Sequence, residues 1–157
     1  MNAALITLVT FLLMEGITWC THKFLMHGSM WYFHEDHHQP GKSFFEKNDA
    51  FFVIFAVPSC LLMITGGHDL FDWKFFVGLG VLFYGVAYFL VHDVLIHQRF
   101  NWFSRTNNVY FRAIRKAHKV HHKHLNKEHG ECFGMLWVPL KYYKQAQAYK
   151  AAKSSHI

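Results

Sequence analysis

Three apolar stretches limit the folds open to this chain, because each is about as long as a helix that crosses a lipid bilayer. They run over Ala3–Cys20, Ala50–Thr65 and Phe75–Val91, and roughly 20 apolar residues are enough to cross about 30 Å of hydrocarbon. Hydrophobic residues make up 52% of the chain and aromatic residues 18%, which is high for a water-soluble protein. We therefore expect an all-α, integral-membrane helical bundle that forms a single domain over residues 1–157.

The number of membrane helices is three or four, depending on the stretch ECFGMLWVPLKYY after residue 130. This stretch is short and contains Pro139, so we expect a re-entrant or interfacial helix rather than a full crossing. Asn48 and Asp49 precede the second apolar stretch and are expected to cap its helix. The first stretch lacks a basic leader and a cleavage site, which favours a retained anchor over a signal peptide.

Basic residues are distributed unevenly along the chain, which carries a formal charge of +6. Four of the 16 Lys and Arg residues precede position 75, and the other twelve follow position 98. A basic chain can bind nucleic acid, but this placement fits the positive-inside rule better. The loop at residues 66–73, with Asp69 and Asp72, is then external. We expect residues 21–49 and the region after His92 to form a cytoplasmic histidine-rich cap.

Histidine is the outlier of the composition, with 14 copies. Ten of them repeat one pattern, H-x4-H followed by H-x2-H-H, once before and once after two of the apolar stretches. The first half contains His22, His27, His34, His37 and His38, and the second contains His92, His97, His118, His121 and His122. Two matched halves of this kind predict a metal site at one membrane face. The three cysteines stand far apart, which indicates neither a disulfide framework nor a thiolate zinc site.

Helical geometry explains the H-x2-H-H pattern, because residues i, i+3 and i+4 share one face. His37 and His38 nevertheless diverge by about 100°, so they can serve different metals. Residues five apart, such as His22 and His27, would diverge by about 140° on a regular helix. The helix there is expected to end, loosen or bulge, or to be met by another element.

Neutral imidazoles suit iron, zinc, copper and nickel. Ten ligands are too many for one ion, and about five for each of two ions leaves a position for oxygen on each. Iron is the redox-active candidate that can activate dioxygen. His124 and His129 continue the run but fit the pattern less well, and whether they join the site stays open. His68 and His156 are placed outside it.

Four acidic residues lie near the histidines, and a metal-bound imidazole commonly donates its other N–H to a carboxylate. Glu35, Asp36 and Asp93 are candidates for such an acceptor, with an exposed salt bridge as the alternative for Asp93, which lies one turn before His97. Glu15 is a charged residue inside an apolar stretch, which is costly and often functional. It either supports the metal site or a proton path, or it makes a hydrogen bond between helices.

The pattern resembles the bacterial β-carotene hydroxylases of the fatty-acid hydroxylase and sterol desaturase superfamily. The resemblance covers roughly residues 10–140. It is carried by the stretches HKFLMHG, WYFHEDHHQPGKSFFEKND, LVHDVLIHQRF, AHKVHH and CFGMLWVP. The histidine boxes are shared with acyl-chain and sterol enzymes, whereas GKSFFEKND and VHDVLIHQR point to the carotenoid branch.

The resemblance implies hydroxylation of each β-ionone ring of β-carotene at the 3-position, giving zeaxanthin by way of β-cryptoxanthin. It also implies that the ten patterned histidines hold two iron ions, with dioxygen as co-substrate. The electrons are expected from a ferredoxin-type donor and its reductase. Aromatic residues that could line an apolar slot for the ring, if they are not simply packing or interface residues, are Phe24, Trp31, Phe83, Tyr84 and Phe89.

Three alternatives remain. The nearest is a hydroxylase or desaturase of fatty-acyl chains or sterols, which would have the same metal site and a differently shaped slot. A metal transporter would place its ligands near the membrane midplane, and a bis-histidine haem anchor would need isolated pairs, so both fit poorly. Three crossings are few to enclose a long polyene, which leaves a homo-oligomer open.

Overall fold

A computed structural model describes residues 2–39, 43–68, 71–100, 102 and 106–154. Within these ranges the chain is mostly helical and contains no strand. The α-helices are α1 (Ala3–Cys20), α2 (Trp31–His38), α3 (Asp49–Gly67), α4 (Trp73–Phe89), α5 (Val109–His121) and α6 (Leu140–Ser154). Two π-helical segments continue α1 and α4, the first over Thr21–Ser29 and the second over Leu90–Ile96. The all-α prediction is confirmed.

Three helices are long and apolar enough to cross a membrane: Ala3–Ser29, Asp49–Gly67 and Trp73–Ile96. Their outward faces carry large apolar side chains such as Leu12, Phe52 and Phe83, each at least half exposed. A water-soluble domain would bury such faces, whereas lipid tails cover them without cost. The three predicted spans are confirmed, with each helix extending beyond its apolar stretch.

The prediction of a helix directly after residue 130 is wrong. Residues 131–139 have no helical backbone, and α6 begins only after Pro139. The backbone N–H groups of Met135, Leu136 and Trp137 donate to the Glu15 carboxylate instead, and the Leu136 carbonyl accepts from the Tyr110 hydroxyl. Side chains from α1 and α5 thus satisfy the backbone of this segment without a helix.

Helix α4 lies between α1 and α3 and packs against both. Two glycines permit the close approach. A Cβ at Gly78 would lie 2.7 Å from the Ser59 carbonyl oxygen of α3, and a Cβ at Gly80 would lie 2.7 Å from the Thr7 carbonyl oxygen of α1. Small residues at such crossings let helix backbones pack tightly, as in other membrane bundles.

Helices α5 and α6 form a pair beside the membrane spans, with Ala113, Ala117, Tyr142 and Ala146 buried between them. Asn108 caps α5 by accepting from the N–H groups of the first turn. His118 and His121 lie on the buried face of α5. The packing of α5 against α6 therefore directs both imidazoles towards the ends of the membrane helices.

Candidate metal centre

Both H-x4-H pairs coincide with π-helical segments, although His97 lies directly after the end of the second one. The His97 N–H donates to the His92 carbonyl oxygen at 2.9 Å, and the Met30 N–H donates to Leu25 at 2.8 Å. These are i to i+5 hydrogen bonds, which bring residues five apart almost one above the other. Of the alternatives that the sequence left open at these pairs, the structure shows a loosened, π-helical backbone. The π-helix is the reason why a five-residue spacing can serve one site.

The ten patterned histidines gather into two groups, which we call the first and second clusters. The first cluster contains His22, His27, His34, His38 and His121, whose ligand nitrogens all lie within 4.8 Å of one another. The second contains His37, His97, His118 and His122 within the same limit, together with His92, whose Nε2 lies 3.0 Å from the Nε2 of His37.

Each cluster contains one histidine from the opposite half of the sequence pattern. His121 comes from the second half of the pattern but belongs to the first cluster, and His37 comes from the first half but belongs to the second cluster. The divergence expected between His37 and His38 therefore does separate them into different clusters. Each cluster has four histidines from one half and one from the other.

The nitrogens inside the clusters face one another in a way that fits a bound cation. Nε2 of His22 lies 3.1 Å from Nε2 of His34, and Nε2 of His27 lies 3.2 Å from Nε2 of His121. The Nδ1 atom of each of these rings faces an oxygen, so Nδ1 carries the single proton of the neutral ring and Nε2 carries a lone pair. Two lone pairs repel at this distance unless a cation lies between them. Two nitrogens that each bind one ion at about 2.1 Å, with a right angle between the two bonds, lie about 3 Å apart.

In the first cluster every Nδ1 donates to an uncharged oxygen. Four acceptors are backbone carbonyls, and the fifth is the Asn48 amide oxygen, 2.7 Å from His34. The carbonyl acceptors are Phe133 for His22, Lys127 for His27, His124 for His38 and Glu131 for His121, at 2.8–3.1 Å. Asn48 does not cap α3, because its side chain is used by His34, so that part of the capping expectation is wrong.

In the second cluster two rings face carboxylates, and the buried Nδ1 of His118 has no partner among the described residues. His37 donates from Nδ1 to Glu46 Oε2 at 2.7 Å, and His92 faces Asp93 Oδ2 at 3.4 Å. Arg99 holds both acids in place, at 3.1 Å from Glu46 and 3.1 Å from Asp93, and it also pairs with Asp49 at 2.9 Å. Burial raises the pKa of Glu46, and the adjacent guanidinium of Arg99 opposes that rise.

Burial keeps four of the clustered imidazoles neutral at physiological pH, those of His34, His38, His121 and His122. The pKa of His38 is lowered to about 4 and that of His122 to about 3, mainly by removal from water and in smaller part by repulsion from neighbouring rings. Burial is also the main reason why the pKa values of His34 and His121 are lowered to about 2. Neutral rings are the form that binds a metal ion.

The three acids expected beside the imidazoles have different surroundings. Asp93 faces His92 rather than His97, because the π-segment moves His97 away from the position that a regular helix would give it. Glu35 accepts from the Gln39 side chain. Asp36 accepts from the Lys47 backbone N–H, and its buried Oδ1 has no partner among the described residues.

Glu15 makes the hydrogen bond between helices that was one of its two expected roles. Its carboxylate accepts from the Tyr84 hydroxyl of α4 at 2.7 Å and from backbone N–H groups of residues 135–137. That segment follows Phe133, whose carbonyl accepts from His22. Glu15 thus supports the first cluster from a distance, through the backbone.

The remaining histidines do not join the clusters through their rings. His124 contributes only its carbonyl oxygen, and neither His129 nor His68 belongs to a group of clustered ligands among the described residues. His156 and Asp69 lie outside the described residues. Sequence reasoning missed Glu46, Asn48 and Arg99, although all three lie in the two stretches that indicated the carotenoid branch.

An apolar cavity of about 390 Å³ lies between α1, α3 and α4 and reaches the second cluster. Its walls include Met14, Phe51, Phe55 and Tyr84, and its inner end is formed by His92 and Asp93. Of the aromatic residues expected at a slot, Tyr84 and Phe89 line this cavity. Phe24, Trp31 and Phe83 are not among its lining residues; Trp31 packs against His27 and His38 instead.

Comparison with known proteins agrees with this arrangement. The family model for fatty acid hydroxylases matches residues 7–139. The β-carotene hydroxylase of Pantoea ananas is 40% identical over 136 residues, covering 87% of this chain and 77% of that protein. The β-carotene hydroxylase of Paracoccus sp. (strain PC1) is 34% identical, covering 88% and 86%.

A plant protein is similar over a smaller share of its length. The chloroplastic β-carotene 3-hydroxylase of Gentiana lutea is 38% identical over 121 residues, covering 75% of this chain and 37% of that protein. No solved structure matches the chain. By the extent of the family match and the identity to these relatives, the chain belongs to the fatty acid hydroxylase family, with proteins named β-carotene hydroxylase among its relatives.

Proposed function

We propose that this protein is a membrane-bound monooxygenase that hydroxylates the β-ionone rings of a carotenoid at the 3-position, converting β-carotene to zeaxanthin by way of β-cryptoxanthin. The observation that carries the proposal is the pair of five-histidine clusters, the second of which lies at the end of an apolar cavity inside the membrane spans. The relatives named β-carotene hydroxylase support the choice of substrate. The whole of residues 1–157 acts as one domain.

The ten clustered histidines hold two iron ions, one in each cluster. The facing Nε2 lone pairs, 2.8–3.2 Å apart, support this assignment. Iron bound there supplies the activation of dioxygen. One oxygen atom enters a ring C–H bond and the other leaves as water, so each hydroxylation consumes two electrons and two protons.

The chain itself orients the substrate. The aromatic and aliphatic walls of the cavity exclude water and hold one ring end, and the cavity presents a ring carbon to the second cluster where His92 lines it. Because both clusters lie at the same end of the spans, the two rings of one carotenoid cannot react in a single binding pose. The singly hydroxylated product is therefore released or reoriented between the steps.

The two electrons come from a ferredoxin-type donor and its reductase. We place the clusters on the cytoplasmic side of a bacterial inner membrane, because twelve of the 16 basic residues follow position 98 and flank the second half of the histidine pattern. A soluble donor reaches the centre from that side. Association into a homo-oligomer would extend the apolar surface available to a long polyene.

A second candidate function is hydroxylation or desaturation of fatty-acyl chains or sterols. The description of the matching family model, fatty acid hydroxylase, favours it. The same metal centre would serve either chemistry, so the substrate has to be decided by the shape of the cavity and by experiment.

The test is expression in a bacterium that accumulates β-carotene, with a ferredoxin and its reductase supplied, followed by pigment analysis. We expect β-cryptoxanthin early and zeaxanthin later, and unchanged β-carotene in an otherwise identical His121→Ala strain. Unchanged pigment in the wild-type strain, with protein and reductant confirmed, would overturn the carotenoid assignment. Feeding acyl and sterol substrates to the same membranes would then identify the substrate class.

A further inference from the structure

The two histidine clusters differ in the charge of the groups that orient their rings. All five Nδ1 atoms of the first cluster face neutral oxygens, four of them backbone carbonyls and one the amide of Asn48. In the second cluster, His37 donates to the Glu46 carboxylate and His92 faces Asp93 at 3.4 Å, while the buried Nδ1 of His118 has no partner among the described residues. Asn48 and Glu46 lie at the same distance of 2.7 Å from their imidazoles, so these two acceptors differ in charge and not in distance.

Arg99 sets the position of both carboxylates. Its guanidinium lies 3.1 Å from Glu46 and 3.1 Å from Asp93, and the third acid in contact with it is Asp49, at 2.9 Å. One positive charge against three negative charges leaves a local excess of negative charge beside the second cluster. His37 and His92 are adjacent there, with their Nε2 atoms 3.0 Å apart, so both carboxylates act on the same position.

A carboxylate that accepts from a ligating imidazole raises the electron density at the opposite nitrogen and stabilises positive charge there. A neutral carbonyl orients the ring without that charge. The effect is strong where water is excluded, and His37 and His92 are 6% and 3% exposed.

We infer that Glu46 and Asp93, oriented by Arg99, are positioning residues that make the second cluster bind a divalent cation more tightly than the first. The two metal positions of the proposed centre are then unequal, and the tighter one is the position that the cavity reaches. This inference rests on the proposed function insofar as both clusters bind iron.

The experiment is anaerobic equilibrium dialysis of the detergent-solubilised apoprotein against buffered Fe²⁺. Two binding steps of unequal affinity are expected. His97 belongs to the second cluster and His27 to the first, so His97→Ala should remove the tighter step and His27→Ala the weaker one.

Reciprocal changes to the acceptors test whether their charge causes the difference in affinity between the two clusters. Glu46→Gln keeps an acceptor oxygen for His37 but removes its charge, and it should weaken the tighter step by about 10–100-fold while leaving the other step unchanged. Asn48→Asp introduces a carboxylate opposite His34 and should strengthen the weaker step within the same range. Glu35→Gln, on the same helix as His34 and His37, removes a charge that contacts neither and should change neither step.

The outcomes separate this inference from the proposed function. Two equal steps in the wild-type protein, or a Glu46→Gln variant in which both steps shift together or neither shifts, would refute the inference and leave the di-iron proposal standing. A failure of the wild-type apoprotein to bind Fe²⁺ would refute the di-iron proposal itself. If Glu46→Gln does not fold, Asn48→Asp still tests the inference. An Asn48→Asp variant that binds Fe²⁺ at the weaker step with unchanged affinity would also refute it.

Discussion

His37 and His38 are consecutive in α2, yet their imidazoles belong to different clusters. Nε2 of His37 lies 3.0 Å from His92, whereas Nε2 of His38 lies 3.2 Å from His34. Since successive residues of a helix point about 100° apart, one short helix can supply both metal positions. The same division occurs at His121, the last residue of α5, and His122, which follows it, and it ties the two halves of the chain together through the centre.

Single ligand removals should therefore lower the iron content towards one ion per chain rather than to zero. His37→Ala should lose iron from the second cluster and His38→Ala from the first. Elemental analysis of the purified variants measures the remaining iron. His124→Ala and His129→Ala are the controls, and they should keep the wild-type iron content, since neither ring lies in a cluster; a loss in either control would show that the ligand set is incomplete.

Glu15→Gln should lower the free energy of unfolding by about 2–3 kcal/mol. The carboxylate accepts from three backbone N–H groups and the Tyr84 hydroxyl, and an amide nitrogen in place of one oxygen would face donors instead. Thermal unfolding in detergent measures the change. Iron retention should fall as well, because the displaced segment carries the carbonyl that accepts from His22. Tyr84→Phe, which removes one of these bonds, should cost about 1 kcal/mol.

Gly80→Ala should destabilise the helix bundle by about 1–3 kcal/mol, because the new methyl group would overpack the crossing of α4 with α1. Its Cβ would lie 2.6 Å from the Thr10 Cβ and 2.7 Å from the Thr7 carbonyl oxygen. Gly16→Ala is the matched control, since a Cβ there meets nothing within 4 Å. Equal unfolding temperatures for the two variants would contradict the packing described here.

Gly85→Leu should block the substrate without disturbing the metal centre. Gly85 lines the cavity, and a Cβ at this position meets nothing within 4 Å, so a larger side chain has room to enter. We expect a loss of about tenfold or more in carotenoid turnover, with wild-type iron content. Gly16→Leu, which lies outside the cavity lining, should retain turnover; if Gly85→Leu also retained it, the substrate would have to bind elsewhere.

The apoprotein should lose stability as the pH falls below about 6.5. Burial lowers the pKa of His38 to about 4 and that of His122 to about 3, while the unfolded chain titrates near 6.5. Below 6.5 the unfolded state binds more protons, so the stability present above that pH is lost progressively as the pH falls through the folded pKa values. Unfolding in detergent between pH 7.5 and 4.5 checks this, and His38→Asn should flatten the profile.

The membrane spans could be predicted from the sequence because their signal is local. Runs of apolar residues such as Ala50–Thr65 have no other low-energy state in a bilayer than a helix, whatever they pack against. The need for irregular helix at the H-x4-H pairs was also visible, since no regular helix aligns residues five apart. The irregular backbone of residues 131–139 could not be predicted, because its N–H groups donate to Glu15, which lies about 120 residues earlier in the chain.

The sequence by itself determined three apolar helices, ten histidines in a repeated pattern and the divergence of neighbouring imidazoles, because these follow from composition and helical period. Only the tertiary structure decided which histidines share a cluster, and that Glu46 and Asn48 orient the rings of His37 and His34. Those contacts join residues whose distance depends on how α2, α3 and α5 pack. No local rule of spacing encodes that packing, so the charge difference between the two clusters emerges only in the folded chain.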